Sequence, residues 1–130
     1  MDLAVFKRSV HEAARQAGGR VIDIIEPGVT PNFIAARIEI GPAPCYVLCS
    51  HADHWAFAEA IEPALAPLRF IDCPAIADAL QALFGLTPFS RAELQAELQA
   101  PFNARLGLSE SDLRYWKPRT LGDALFNWWD

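Results

Sequence analysis

Residues Phe33 to Ile40, FIAARIEI, alternate: Ile34, Ala36, Ile38 and Ile40 fall on one side of an extended chain, Arg37 and Glu39 on the other. Successive side chains of a strand point to opposite faces, so this pattern predicts a strand with one covered and one solvated face. Only GPAP separates it from the apolar run Cys45 to Ser50. A parallel crossover needs a dozen or more residues, so the second strand must return antiparallel to the first. Cys45 to Ser50 is apolar on both faces, which makes it a central or doubly covered strand. Any fold for this chain is built around that pair.

The flanking segments supply the rest of one α+β domain spanning residues 1–130. Leu3, Phe6, Val10, Ala13, Ala14 and Ala17 recur at spacings of three and four and predict an N-terminal amphipathic helix, which Gly18 and Gly19 end. Arg20 to Glu26 is β-branched and bounded by turn residues, and so reads as a strand. His54 to Ala60 is expected to pair as a hairpin partner, although its alanines would equally suit a helix. Arg69 to Asp72 reads as a short edge strand. Pro74 to Phe84 reads as a helix with Asp72 available as its cap, Gly85 at its end, and Ile76, Leu80, Leu83 and Phe84 as its buried stripe. Ser90 with Glu93 forms a capping-box pattern for a helix to about Gln99, and Ser109 with Asp112 repeats it weakly. Thr120 with Asp123 opens a last helix carrying Leu121, Leu125, Trp128 and Trp129. The expected architecture is an antiparallel sheet of three to four strands, with the N-terminal helix and the C-terminal helices packed on it.

Composition narrows the function classes. The chain has 130 residues, 52% hydrophobic and 21% charged, which is enough for one globular core. Its formal charge is −5, from 16 acidic against 11 basic residues. That sign disfavours nucleic acid and anionic membrane surfaces as partners. No run approaches the roughly 18 apolar residues of a membrane span. Glu12 and Arg15 fall where a signal peptide would carry its apolar run and cleavage site. With only three cysteines, an odd number, the expected compartment is a reducing cytoplasm.

The residues best suited to chemistry are Cys45, Cys49, His51, Asp53 and His54, with Cys73 nearby in sequence. Thiolate and imidazole are zinc ligands, yet Cys45 and Cys49 on one strand would stand about 13 Å apart, too far to share an ion. No CxxC pair occurs. Cys73, just before a helix, has one of the features that activate a cysteine nucleophile. No GxSxG, GxxxxGK[ST] or GxGxxG motif occurs. The chain therefore reads as a binding protein rather than an enzyme, without metal or cofactor. A small Cys/His-dependent enzyme is the alternative, as is a homodimeric adaptor with the tryptophan tail in its interface.

Acidity is uneven. Residues 50 to 90 hold Asp53, Glu59, Glu62, Asp72 and Asp78 against one base, Arg69, a net of −4. Such a segment can steer a basic partner. With His54 and Trp55, these carboxylates form the candidate partner-binding set.

The chain ends on YWKPRTLGDALFNWWD, which holds three of its four tryptophans. This ending resembles the closing segment of small bacterial proteins of the toxin-immunity type, and FIDCPAIADAL before it resembles them loosely. The resemblance implies a protein that neutralises a cognate toxin by direct contact, occluding its active site or locking an inactive form. It transfers no residue as a known contact. The expected partner is a toxin protein with a basic surface.

Overall fold

A computed structural model describes residues 2–26, 32–42, 44–61, 68–97 and 118–126. Its elements, in chain order, are α1 (Leu3–Gln16), β1 (Arg20–Ile25), β2 (Phe33–Glu39), β3 (Pro44–Ser50), β4 (Trp55–Ala58), β5 (Phe70–Ile71), α2 (Pro74–Phe84), α3 (Arg91–Gln95) and α4 (Leu121–Leu125). The strands form one antiparallel sheet in the order β1-β2-β3-β4-β5, each pairing with its neighbour in sequence. The fold is α+β as expected, but the sheet has five strands rather than three to four. The stretch that suited strand or helix joins it, with Trp55–Ala58 pairing with Tyr46–Cys49, and the expected short edge strand forms as Phe70–Ile71.

The turns explain the meander. β3 and β4 are joined by the four residues His51–His54, in a turn where Asp53 N–H donates to Ser50 O and Ser50 N–H to His54 O. Asp53 takes φ +62°, a left-handed conformation that aspartate tolerates better than most residues. β1 pairs with β2 through a bulge between Val21 and Asp23, which leaves Ile22 exposed on the sheet edge.

β3 is central and buried on both faces. On one side Cys45, Val47 and Cys49 pack with Ile34, Ala36, Ile38 and Phe57 beneath α1 and α2. Phe6 of α1 stacks on Trp55, with ring centroids 5.4 Å apart. On the other side Leu48, Phe33, Ala35, Ala56 and Ala58 pack with Leu94 of α3 and with Leu121, Leu125 and Phe126 at the chain's end. The face of β2 expected to meet solvent does so only at Arg37 and Glu39. Its other half, Phe33 and Ala35, is buried because α3 and α4 cover it.

Helix ends follow local chemistry. The Asp2 carboxylate accepts from Ala4 and Val5 N–H, and the Ser90–Glu93 capping box closes at α3. Thr120 accepts from Asp123 N–H to start α4. The helix expected to run to Gln99 ends at Gln95. The Ser109–Asp112 pattern, Trp128 and Trp129 lie outside the described residues. Two expectations for α2 fail. Asp72 does not cap it; its Oδ1 accepts from Arg91 N–H at 2.9 Å, so it serves α3, while Cys73 holds the N-cap position. Leu83 and Phe84 are 41% and 39% exposed, because Ala79 rather than Leu83 joins Ile76 and Leu80 inward.

Gly122 in α4 shows how closely the second layer fits. A Cβ there would meet the Phe70 ring and approach Leu94 O. Replacing a helical glycine by alanine ordinarily stabilises by roughly 0.5–1 kcal/mol. At Gly122 the sign should reverse, with G122A losing about 1–3 kcal/mol in urea unfolding through overpacking against Phe70.

Candidate functional site

The structure divides the predicted partner-binding set. At the β3–β4 turn, Asp53 is exposed and His54 is half-buried. The segment from Phe89 to Arg91 crosses beside this turn: Phe89 N–H donates to Trp55 O, and Arg91 N–H to the Asp72 carboxylate. The Phe89 ring meets His54 edge-on, with centroids 5.8 Å apart. Asp53, His54 and Asp72 therefore share one end of the sheet. Glu59 lies beyond the opposite end of β4, about 10 Å or more away at strand spacing, and its carboxylate is 3.3 Å from Arg69 Nη1. Asp78 is exposed on α2. Glu62 lies outside the described residues.

Trp55 belongs to the core. It is 7% exposed and stacked on Phe6, so its ring is not presented to a partner. Strand pairing opposite Cys49 turns it inward, which the alternative helical reading of this stretch left hidden.

His54 is held by the turn. Its backbone N–H donates to Ser50 Oγ at 3.1 Å, and its Nδ1 stands 3.3 Å from the same hydroxyl. Ser50 is buried, so this serine–histidine contact braces a hairpin and does not present a nucleophile. Burial lowers the His54 pKa from its ordinary value, and the Asp53 charge opposes that effect.

The three thiols occupy unlike environments. Cys49 is fully buried, its Sγ 3.6 Å from Ser50 O, and burial with the nearby Asp53 charge pushes its pKa up to about 12. The neighbouring Cys73 thiol, and then burial, raise the pKa of Cys45 on β3. Cys73 is lowered, first by the Cys45 thiol and then by the Ile76 N–H, against the opposing effect of burial. It closes no side-chain cap hydrogen bond at α2, yet it sits where the helix dipole favours a thiolate. The nucleophile pairing expected in the enzymatic alternative was cysteine with histidine. The structure instead sets cysteine against cysteine, and His54 against Ser50 and Phe89.

Sequence spacing groups Cys45 with Cys49, four residues away, and hides the coupling of Cys45 to Cys73. The available signal was strand period: residues 45, 47 and 49 share the face over which α2, just after Cys73, must pack. No group of three or more metal-ligating side chains occurs among the described residues. A shallow cleft at the β2–β3 turn, lined by Ile22, Arg37, Gly41, Pro42 and Pro44 among others, contains none of the candidate residues. No helix among the described residues is long and apolar enough to cross a membrane. Comparison of the chain with family models, curated proteins and solved structures returns no match.

Because the folded state binds the His54 proton less readily than the unfolded chain, this residue favours folding fully above the ordinary histidine value of 6.5. That contribution is lost as pH falls from 6.5 toward the folded value. Urea midpoints measured from about pH 7 to about pH 5 should fall, and His54→Gln should flatten the decline.

Proposed function

We propose that this protein acts by binding another protein, and that the partner is a toxin it neutralises by contact. The toxin reading rests on the resemblance of the chain's ending to immunity-type proteins. The binding reading is supported by one observation above the others: Asp53 and Asp72 lie at the same end of the sheet, on a turn and a corner bridged by the Phe89–Arg91 segment. Rigid placement of two carboxylates lowers the entropy lost on docking, and their charge speeds encounter with a basic surface. Asp78 adds a third exposed carboxylate on α2. Glu59, offset by Arg69, contributes less, and Trp55 supports the surface from within. In this reading the protein performs no reaction and works in the cytoplasm, where its toxin would otherwise act.

Proteins of the immunity type neutralise a toxin encoded beside them, so the test is co-expression with the product of the neighbouring gene. Relief of growth arrest together with a purified stoichiometric complex would support the reading; a persistent arrest with no complex at low salt would overturn it. Within such a complex, Asp53→Asn keeps a residue that tolerates the left-handed turn, and Asp72→Asn keeps an acceptor for Arg91. The double variant should associate roughly tenfold more slowly at low ionic strength, with a shallower salt dependence and little change in folding stability. Stopped-flow rates identical to the parent would remove this end of the sheet from the interface.

A further inference from the structure

Ser50, the last residue of β3, is 2% exposed, and among the described residues both contacts of its hydroxyl are with His54. The Oγ accepts from His54 N–H at 3.1 Å and stands 3.3 Å from His54 Nδ1. The one hydrogen of that hydroxyl therefore has one acceptor within reach, and Nδ1 can accept it only when it carries no proton. This arrangement selects the neutral imidazole with its hydrogen on Nε2. Backbone bonds close the turn around the pair: Ser50 N–H donates to His54 O and Asp53 N–H to Ser50 O, both at 2.9 Å. The closed turn holds Asp53 at its positive φ, and the Phe89 ring lies edge-on to the imidazole.

A proton on Nδ1 turns the acceptor into a second donor. The Ser50 hydrogen then has nowhere to go, and a buried hydroxyl without a partner is costly. We propose that the β3–β4 turn is a proton-operated latch: protonation of His54 breaks its side-chain contact with Ser50, swings the ring away from Phe89, and opens the turn that fixes Asp53. The proton comes from solvent, which the half-buried residue reaches. Of the ionisable groups around the ring, Asp53 on the same turn is the charge that acts on it, and it favours the protonated form. His51 is exposed on that turn, while Asp72 and Arg91, on the corner and the segment packed against it, are tied to each other through the Arg91 N–H. Burial outweighs Asp53, so the latch is closed above the ordinary histidine value of 6.5 and opens as pH falls below it. Opening releases Asp53 from its place in the contact surface. That consequence rests on the binding reading above, whereas the latch belongs to the free chain and is tested there.

The experiment uses the full chain, labelled with nitrogen-15, and needs no partner. Long-range proton–nitrogen NMR at about pH 7.5 should show the neutral His54 ring protonated on Nε2. Amide exchange, expressed at each pH as protection relative to the unfolded chain, should lose roughly tenfold at Asp53 and His54 between about pH 7.5 and about pH 5. Val47 and Leu48, paired on both sides within the sheet, should keep their protection. His54→Gln should abolish the pH dependence at Asp53. Ser50→Ala should lower protection at Asp53 even at the higher pH. A neutral ring protonated on Nδ1 would overturn the proposal. So would equal protection at the two pH values, a loss undiminished in His54→Gln, or a loss shared equally by Val47 and Leu48, which marks unfolding of the whole chain. The parent protein decides the matter even where a variant fails to fold, and a failure to form the toxin complex leaves these readouts standing.

Discussion

Leu48 and Cys49 are neighbours in sequence, both are fully buried, and they point to opposite sides of the sheet. A strand with that property has no face to offer water, so the chain must provide two separate covers for it. α1 and α2 are the first, α3, α4 and Phe126 the second. Each consecutive strand is joined to its neighbour, which leaves the helices, rather than crossovers, to close the core. The position of every candidate residue follows from this arrangement. The β3–β4 turn emerges between the two layers, and the Phe89–Arg91 segment, on its way from α2 to α3, must pass beside it.

That crossing gives the Asp53–Asp72 end of the sheet its definition. Backbone bonds from Phe89 and Arg91 fasten it to β4 and to the corner after β5. The same crossing draws Asp72 away from α2 and leaves a thiol at that helix's N-cap. That carboxylate therefore helps define the proposed contact surface, while the thiols lie apart from it. The two remain separable, because Cys45 and Cys73 belong to the α1–α2 layer.

Patterns local to a few residues were legible in the sequence. The alternation in Phe33–Glu39, the short GPAP link, the Ser90–Glu93 box and the Pro74 start each express their physics within one turn or one strand. The lateral extent of the sheet was harder to read. Trp55–Ala58 is buried on both sides, so it lacks the alternation that marks a half-exposed strand, and its alanines carry the opposite propensity. Phe33 and Ala35 looked solvated because the Arg37–Glu39 half of their strand is. What covers them comes from residues 94 and 121–126, at a separation no local pattern spans. The candidate site divides in the same way. Exposure at Asp53, Asp72 and Asp78 agreed with their charge, while the burial of Trp55 and the coupling of Cys45 to Cys73 depended on which strands paired and where a helix lay.

The second cover has a consequence for the protein's synthesis. A ribosome delivers the strands and both helices of the first layer well before Leu121, Leu125 and Phe126. Until those residues emerge, Phe33, Ala35 and Leu48 form an apolar floor that lacks its C-terminal lid. The amide of Asn32 donates to Leu125 O at 3.0 Å only once this last helix arrives. An uncovered floor of that kind is open to a neighbouring nascent chain or a chaperone, and the docking of α4 ends its exposure.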